Sequence, residues 1–151
     1  TKTVFAKQEF EGRTLLILKA KGPGGRVGKP GEGVQRLIEN EGDKVKLIIT
    51  VDAALKLEGD NSGEIVEGVG AAIGDPGPEK FKIEEAARTH NVPLLAVILK
   101  ESMDEAITGM KKEIADAVPA AVEKVKQVIR EQTKAGDEVI IAGIGNSIGV
   151  A

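Results

Sequence analysis

Two cations, Arg26 and Lys29, stand among Gly24, Gly25 and Gly28 in residues 21–30, between a strand-like segment and a helix-like one. Backbone amides freed of side chains, a pair of positive charges and a helix start in that order can cradle a phosphate or a carboxylate. Two further glycine clusters follow, 68–77 with Gly70 and 143–149 with Gly145, Asn146 and Ser147. Asn146 and Ser147 read as hydrogen-bonding groups at the carboxyl end of a parallel strand, where α/β proteins bind ligands. Asp52 also follows an apolar strand, and with Glu58 or Asp60 it offers oxygen ligands for Mg²⁺, or an acceptor for a ribose-like hydroxyl.

Each pattern has a plainer reading beside it. The first cluster fails as a nucleotide-phosphate loop: Pro23 stands where the leading glycine belongs, and Pro30 replaces the hydroxyl that would hold magnesium. A tight strand-to-helix turn explains its glycines equally. The last cluster lacks both the following helix and the acidic residue about 20 positions on that a dinucleotide fingerprint requires. Asp52 serves equally as the cap of a short helix beginning at Ala53, with Lys56 as its structural partner. His90 is the only histidine. Its place at a helix end suits its charge without any function, and no Gly-x-Ser-x-Gly elbow accompanies it.

The elements that must position these groups follow from periodicity. Continuous apolar runs at 13–20, 44–51, 93–99 and 138–142 read as buried strands. Residues 4–10 alternate weakly, and Glu11-Gly12-Arg13 can turn them into a hairpin with the next strand. Pro30 suits a helix start, with Val34, Leu37 and Ile38 facing inward. Pro78 starts another, with Ile83, Ala86 and Ala87 inward. Ser102 and Glu105 form a capping box for a third helix, which Pro119 is expected to end before a fourth runs to Ala135. Residues 62–73 read as a glycine-loosened helix, with a strand at 65–73 as the alternative. The alternation of strand and helix predicts an α/β, Rossmann-like single domain over 1–151: three layers, a mainly parallel sheet of four to five strands, and helices on both faces.

Composition narrows the function. The chain has 151 residues, enough for a proper core, and its 41% hydrophobic and 30% charged residues suit a soluble globular domain. A net charge of −3, no Trp or Tyr and three Phe argue against a nucleic-acid binder. Absence of cysteine removes disulfides, thiolate nucleophiles and Cys-ligated metals. Richness in Lys and Glu adds compatibility with an intracellular protein of a thermophile. No apolar run approaches the roughly 18 residues of a membrane span. Thr1 in place of methionine, and an end two residues past the last glycine cluster, read as a piece of a longer protein.

The strings at 19–30, 49–59, 67–74 and 142–149 resemble those of an archaeal family, the domain-of-unknown-function 1512 family, over nearly the whole chain from about Gly12 onward. The resemblance implies the soluble C-terminal portion of a larger archaeal protein, cytoplasmic and tethered upstream through a hydrophobic part. It assigns no activity and therefore no catalytic residues. The leading expectation is a binder of a small anionic ligand, phosphorylated or nucleotide-like, held by Gly24, Gly25, Arg26, Gly28, Lys29, Gly70, Gly145, Asn146 and Ser147, with Mg²⁺ through Asp52. Its enzymatic version is hydrolysis or transfer at a phosphate. The rival is an assembly or regulatory module whose glycines allow close packing and whose long helices join subunits into a homo-oligomer.

Overall fold

The computed structural model describes residues 3–20, 30–55, 65–69, 78–101 and 112–143. Strands β1 (Thr3–Phe10) and β2 (Arg13–Ala20) form an antiparallel hairpin closed by the pair Phe10–Arg13. Its two-residue turn places Glu11 at φ 49° and Gly12 at φ 85°, the double left-handed conformation whose twist suits a hairpin. Glycine takes that geometry freely, whereas glutamate does so at a cost. Glu11 is held there by Arg130, whose guanidinium donates to both of its carboxylate oxygens at 2.7–3.1 Å.

Helix α1 (Pro30–Glu41) begins on the proline that its fixed φ prepares for a first helical position, and it buries Val34 and Ile38. A 3-10 turn (Gly42–Lys44) leads into β3 (Val45–Leu55). β4 (Ile65–Val69) follows, then helix α2 (Pro78–Thr89), β5 (Leu94–Glu101), helix α3 (Lys112–Gln132) and β6 (Glu138–Gly143). Helix α2 ends in a left-handed cap: Asn91 has φ 57°, and the Val92 amide donates to the Ala87 carbonyl at 2.8 Å.

Among the described residues the sheet has six strands in the order β1-β2-β6-β3-β5-β4. β2, β6, β3 and β5 run parallel, and the hairpin partner β1 and the strand β4 pair antiparallel at the two edges. One core cluster packs Val34 and Ile38 of α1 and Ile83, Ala86 and Ala87 of α2 against Leu16, Leu18, Ile48 and Ile140. A second packs Val128 and Ile129 of α3 against Leu15, Leu47, Ile49 and Val139. Neighbours along β2, β3 and β6 divide between the two clusters, as a period of two demands. Val45 and Leu47 divide as well, because a register irregularity lies between them.

Three expectations need correction. Residues 65–69 form a strand where a helix was expected, because Ile65 to Val69 find an open edge on β5 that local propensity does not reveal. Asp52 caps no helix at Ala53: Ala53, Ala54 and Leu55 continue β3 opposite Leu99, Lys100 and Glu101. Pro119 divides no pair of helices, since α3 runs through it as one element of 21 residues. Proline forfeits one amide bond there, but its φ is already helical. The Ser102 capping box lies outside the described residues.

Candidate functional site at the carboxyl edge

Parallel strands deliver their following segments to one edge of a sheet. Here β2, β6 and β3 are adjacent, and Lys19, Gly143 and Val51 pair across one row near their carboxyl ends. The segments 21–29 and 144–149 leave from β2 and β6 within one residue of that row. β3 continues four residues further, beside β5. Asp52 is the first residue past the row and pairs with Ile98. Of its side chain nothing is described. Gly24, Gly25, Arg26, Gly28, Lys29, Gly70, Gly145, Asn146 and Ser147 lie outside the described residues, as do Glu58 and Asp60. Among the described residues, no group of three acidic or imidazole side chains is placed to hold a metal ion.

The same edge carries the starts of α1 and α2, and they meet. The Gly31 amide donates to Glu79 Oε1 at 2.8 Å, so a carboxylate from α2 already occupies the positive end of α1. Lys82 Nζ lies 3.3 Å from Glu79 Oε2 and 3.3 Å from Glu32 Oε2. The hydrogen bond to Glu79 holds the lysine above its ordinary pKa against the opposing effect of desolvation, and the hydrogen bond to Glu32 adds to the rise. Gly31 is obligatory by space: a Cβ there would stand 2.6 Å from the Glu79 carbonyl oxygen and 2.8 Å from Lys82 Cβ. Residues 48 apart in sequence make this junction, and no local pattern announces it.

At the opposite edge the hairpin turn docks on the end of α3. Arg13 donates from NH2 to the Thr133 carbonyl at 2.7 Å, and Gly136 donates to the Gly12 carbonyl at 3.0 Å. Arg130 lies 5.2 Å from the centre of the Phe10 ring while binding Glu11, and it holds the Glu11 carboxyl below its usual range. Nearby, burial pushes the Glu138 carboxyl above its usual pKa, and its hydrogen bond with Glu41 adds to the rise. With both groups ionised neither can donate, and Oε1 of Glu138 is buried without a partner. A proton on Glu138, which its raised pKa favours, supplies the donor.

His90 is exposed at the end of α2, beside a shallow hollow of about 120 Å³ that Gln35, Glu39, Glu85 and Thr89 also line. The serines, Ser62, Ser102 and Ser147, fall outside the described residues. A larger cleft of about 280 Å³ opens between α3 and the β1–β2–β6 side of the sheet, with Phe10, Ile17, Val122, Val125 and Ile141 in its almost wholly apolar wall. Among the described residues no helix is long and apolar enough to cross a membrane.

The family model described as "Domain of unknown function (DUF1512) C-terminal" matches residues 1–151. No match was found among curated proteins or solved structures.

Proposed function

For a chain that belongs to the DUF1512 C-terminal family, we propose a role as receptor for a small anionic ligand, phosphorylated or nucleotide-like, at the carboxyl edge of its sheet. The observation that carries this reading is the row Lys19–Gly143–Val51. Two glycine-rich segments leave from neighbouring strands just past this row, and Asp52 is the first residue past it on β3. Arg26 and Lys29 neutralise the ligand, amides around Gly24, Gly25, Gly28 and Gly145 hydrogen-bond it, and Asn146 and Ser147 complete its polar contacts. Gly70 is left out of this set, because β4 runs antiparallel and its last residue, Val69, pairs with Leu95 toward the amino end of β5. Asp52 binds Mg²⁺ or a ligand hydroxyl. The first-turn amide at Gly31 is excluded from this work, because Glu79 holds it.

The sheet that presents the site is read as the middle of three layers, with α1 and α2 on one face and α3 on the other. Support comes from the division of adjacent strand residues between two core clusters. The domain is read as cytoplasmic.

Thermal melting against nucleotides and sugar phosphates, with and without Mg²⁺, tests the reading. A ligand at 100 times its dissociation constant should add about 2.7 kcal/mol of stability. The double variant Arg26→Ala, Lys29→Ala should lose that gain and melt like the parent without ligand. No shift from any compound would reject the receptor.

One observation favours the rival, a packing and assembly role for the glycines. Gly31 admits the close approach of α1 to α2, and its amide is held by Glu79. A melt indifferent to every compound would leave that reading standing.

A further inference from the structure

Strand β1 ends the sheet on one side, and its outer edge has no neighbour among the described strands. Phe10 and Arg13 close a two-residue hairpin, so that pair exchanges backbone hydrogen bonds and the pattern alternates outward from it. Phe10, Gln8 and Ala6 therefore bond β2, while Glu9 and Lys7 turn their amides and carbonyls away from the sheet. Ala6, Lys7, Gln8 and Glu9 are all exposed. The apolar cleft begins on this strand, with Gln8 and Phe10 in its wall, and continues to Val122, which is 47% exposed.

We propose that the free edge of β1 pairs antiparallel with β1 of a second copy of this chain, on a two-fold axis through Gln8. The charges choose the occupant and the register. Outward-facing residues must oppose outward-facing residues. A shift that centres the axis on Lys7 opposes two lysines, and one centred on Glu9 opposes two carboxylates. Centring on Ala6 leaves Lys7 facing Phe5. Centring on Gln8 sets Lys7 opposite Glu9 of the second copy, twice over by symmetry. A lysine on an edge strand ordinarily discourages pairing, but a glutamate two residues away makes this edge complementary to itself. One Glu9 oxygen already accepts the Gly12 amide at 2.6 Å, which fixes the carboxylate beside the strand.

The register also sets where the two clefts lie. Such an axis stands perpendicular to the joined sheet, so the two α3 helices lie on the same side of it. The two clefts then flank the seam, with Phe10 across from Ala6 of the second copy, and the exposed apolar strip is shared between the copies. The pairing sits on the side edge of the sheet, away from the segments that follow β3, and stands whether or not a ligand binds.

Light scattering on the eluting chain, at micromolar to submillimolar concentration, should give twice the 15.8 kDa mass. Lys7→Glu and Glu9→Lys each replace two attractive contacts with two repulsive ones and should each weaken the dimer about tenfold or more. The double variant Lys7→Glu, Glu9→Lys restores opposite charges across the seam and should recover the dimer. Circular dichroism confirms that each variant folds. A monomeric parent overturns the proposal. So does a dimer that ignores both single changes, or a double variant no better than the singles.

Discussion

Among the described residues, Glu138 is the carboxyl whose ionisation the fold resists. Burial and the neighbouring Glu41 raise its pKa above the ordinary 4.5, while Lys44 and Lys7 offset only part of that rise. A carboxyl whose folded pKa exceeds its unfolded one contributes stability below the unfolded value, and loses it as pH climbs through the folded value. The parent should therefore lose stability as pH rises from about 4.5 toward neutrality. Glu138→Gln keeps a donor for Glu41 at every pH and cannot ionise. Its urea midpoint should exceed the parent's at pH 7 and change less between pH 4.5 and 7. Midpoints that move in parallel would show that the Glu41–Glu138 contact carries no linkage. This pair is invisible in sequence because 97 positions separate a helix end from a strand start that only the sheet order brings together.

Among the elements, the α1–α2 junction has the least slack. Alanine in place of Gly31 gains about 1 kcal/mol of helix propensity. Its Cβ, however, would meet the Glu79 carbonyl at 2.6 Å, a backbone atom that moves only with its helix. Overpacking of that kind costs about 1–3 kcal/mol, and separating the helices stretches the Gly31–Glu79 hydrogen bond as well. Gly31→Ala should thus lower stability by about 1–2 kcal/mol in chemical denaturation. A neutral or stabilised variant would mean that the helix starts part without loss. Helix starts themselves were legible: Pro30 and Pro78 each open a helix, and the inward residues at 34, 38, 83, 86 and 87 are those that the period of 3.6 selects. The strand β4 was legible only as the second choice over 65–73, because Glu67 and Gly68 break its apolar pattern and only an edge of β5 gives it a partner. Pro119 misled for the opposite reason: a strong local signal for a break is overridden within a long helix whose later turns bury Val128 and Ile129.

At the scale of the whole molecule, what the sequence withheld is the order of the strands. The runs at 13–20 and 138–142 both read as buried strands, yet nothing in either shows that the last strand lies between the second and the third. That insertion decides everything the carboxyl edge can do, since it makes Gly143 the neighbour of both Lys19 and Val51. It also decides how the chain holds together. β2 and β3 have no pairing with each other; each pairs with β6, over six positions apiece. Val139, Ile140 and Ala142 are fully buried between them. A chain ending at Gly136 keeps the β1–β2 hairpin and the β3–β5–β4 group but loses the strand pairing that joins them, leaving only their packing under α1 and α2. Long-range pairing that awaits the final strand closes its loops late, against the entropy of the whole intervening chain. The shortened chain should show no cooperative thermal transition and weak amide protection in β2 and β3. A sharp transition with protected amides in both strands would mean that they join directly, and that β6 is an addition to a sheet already formed.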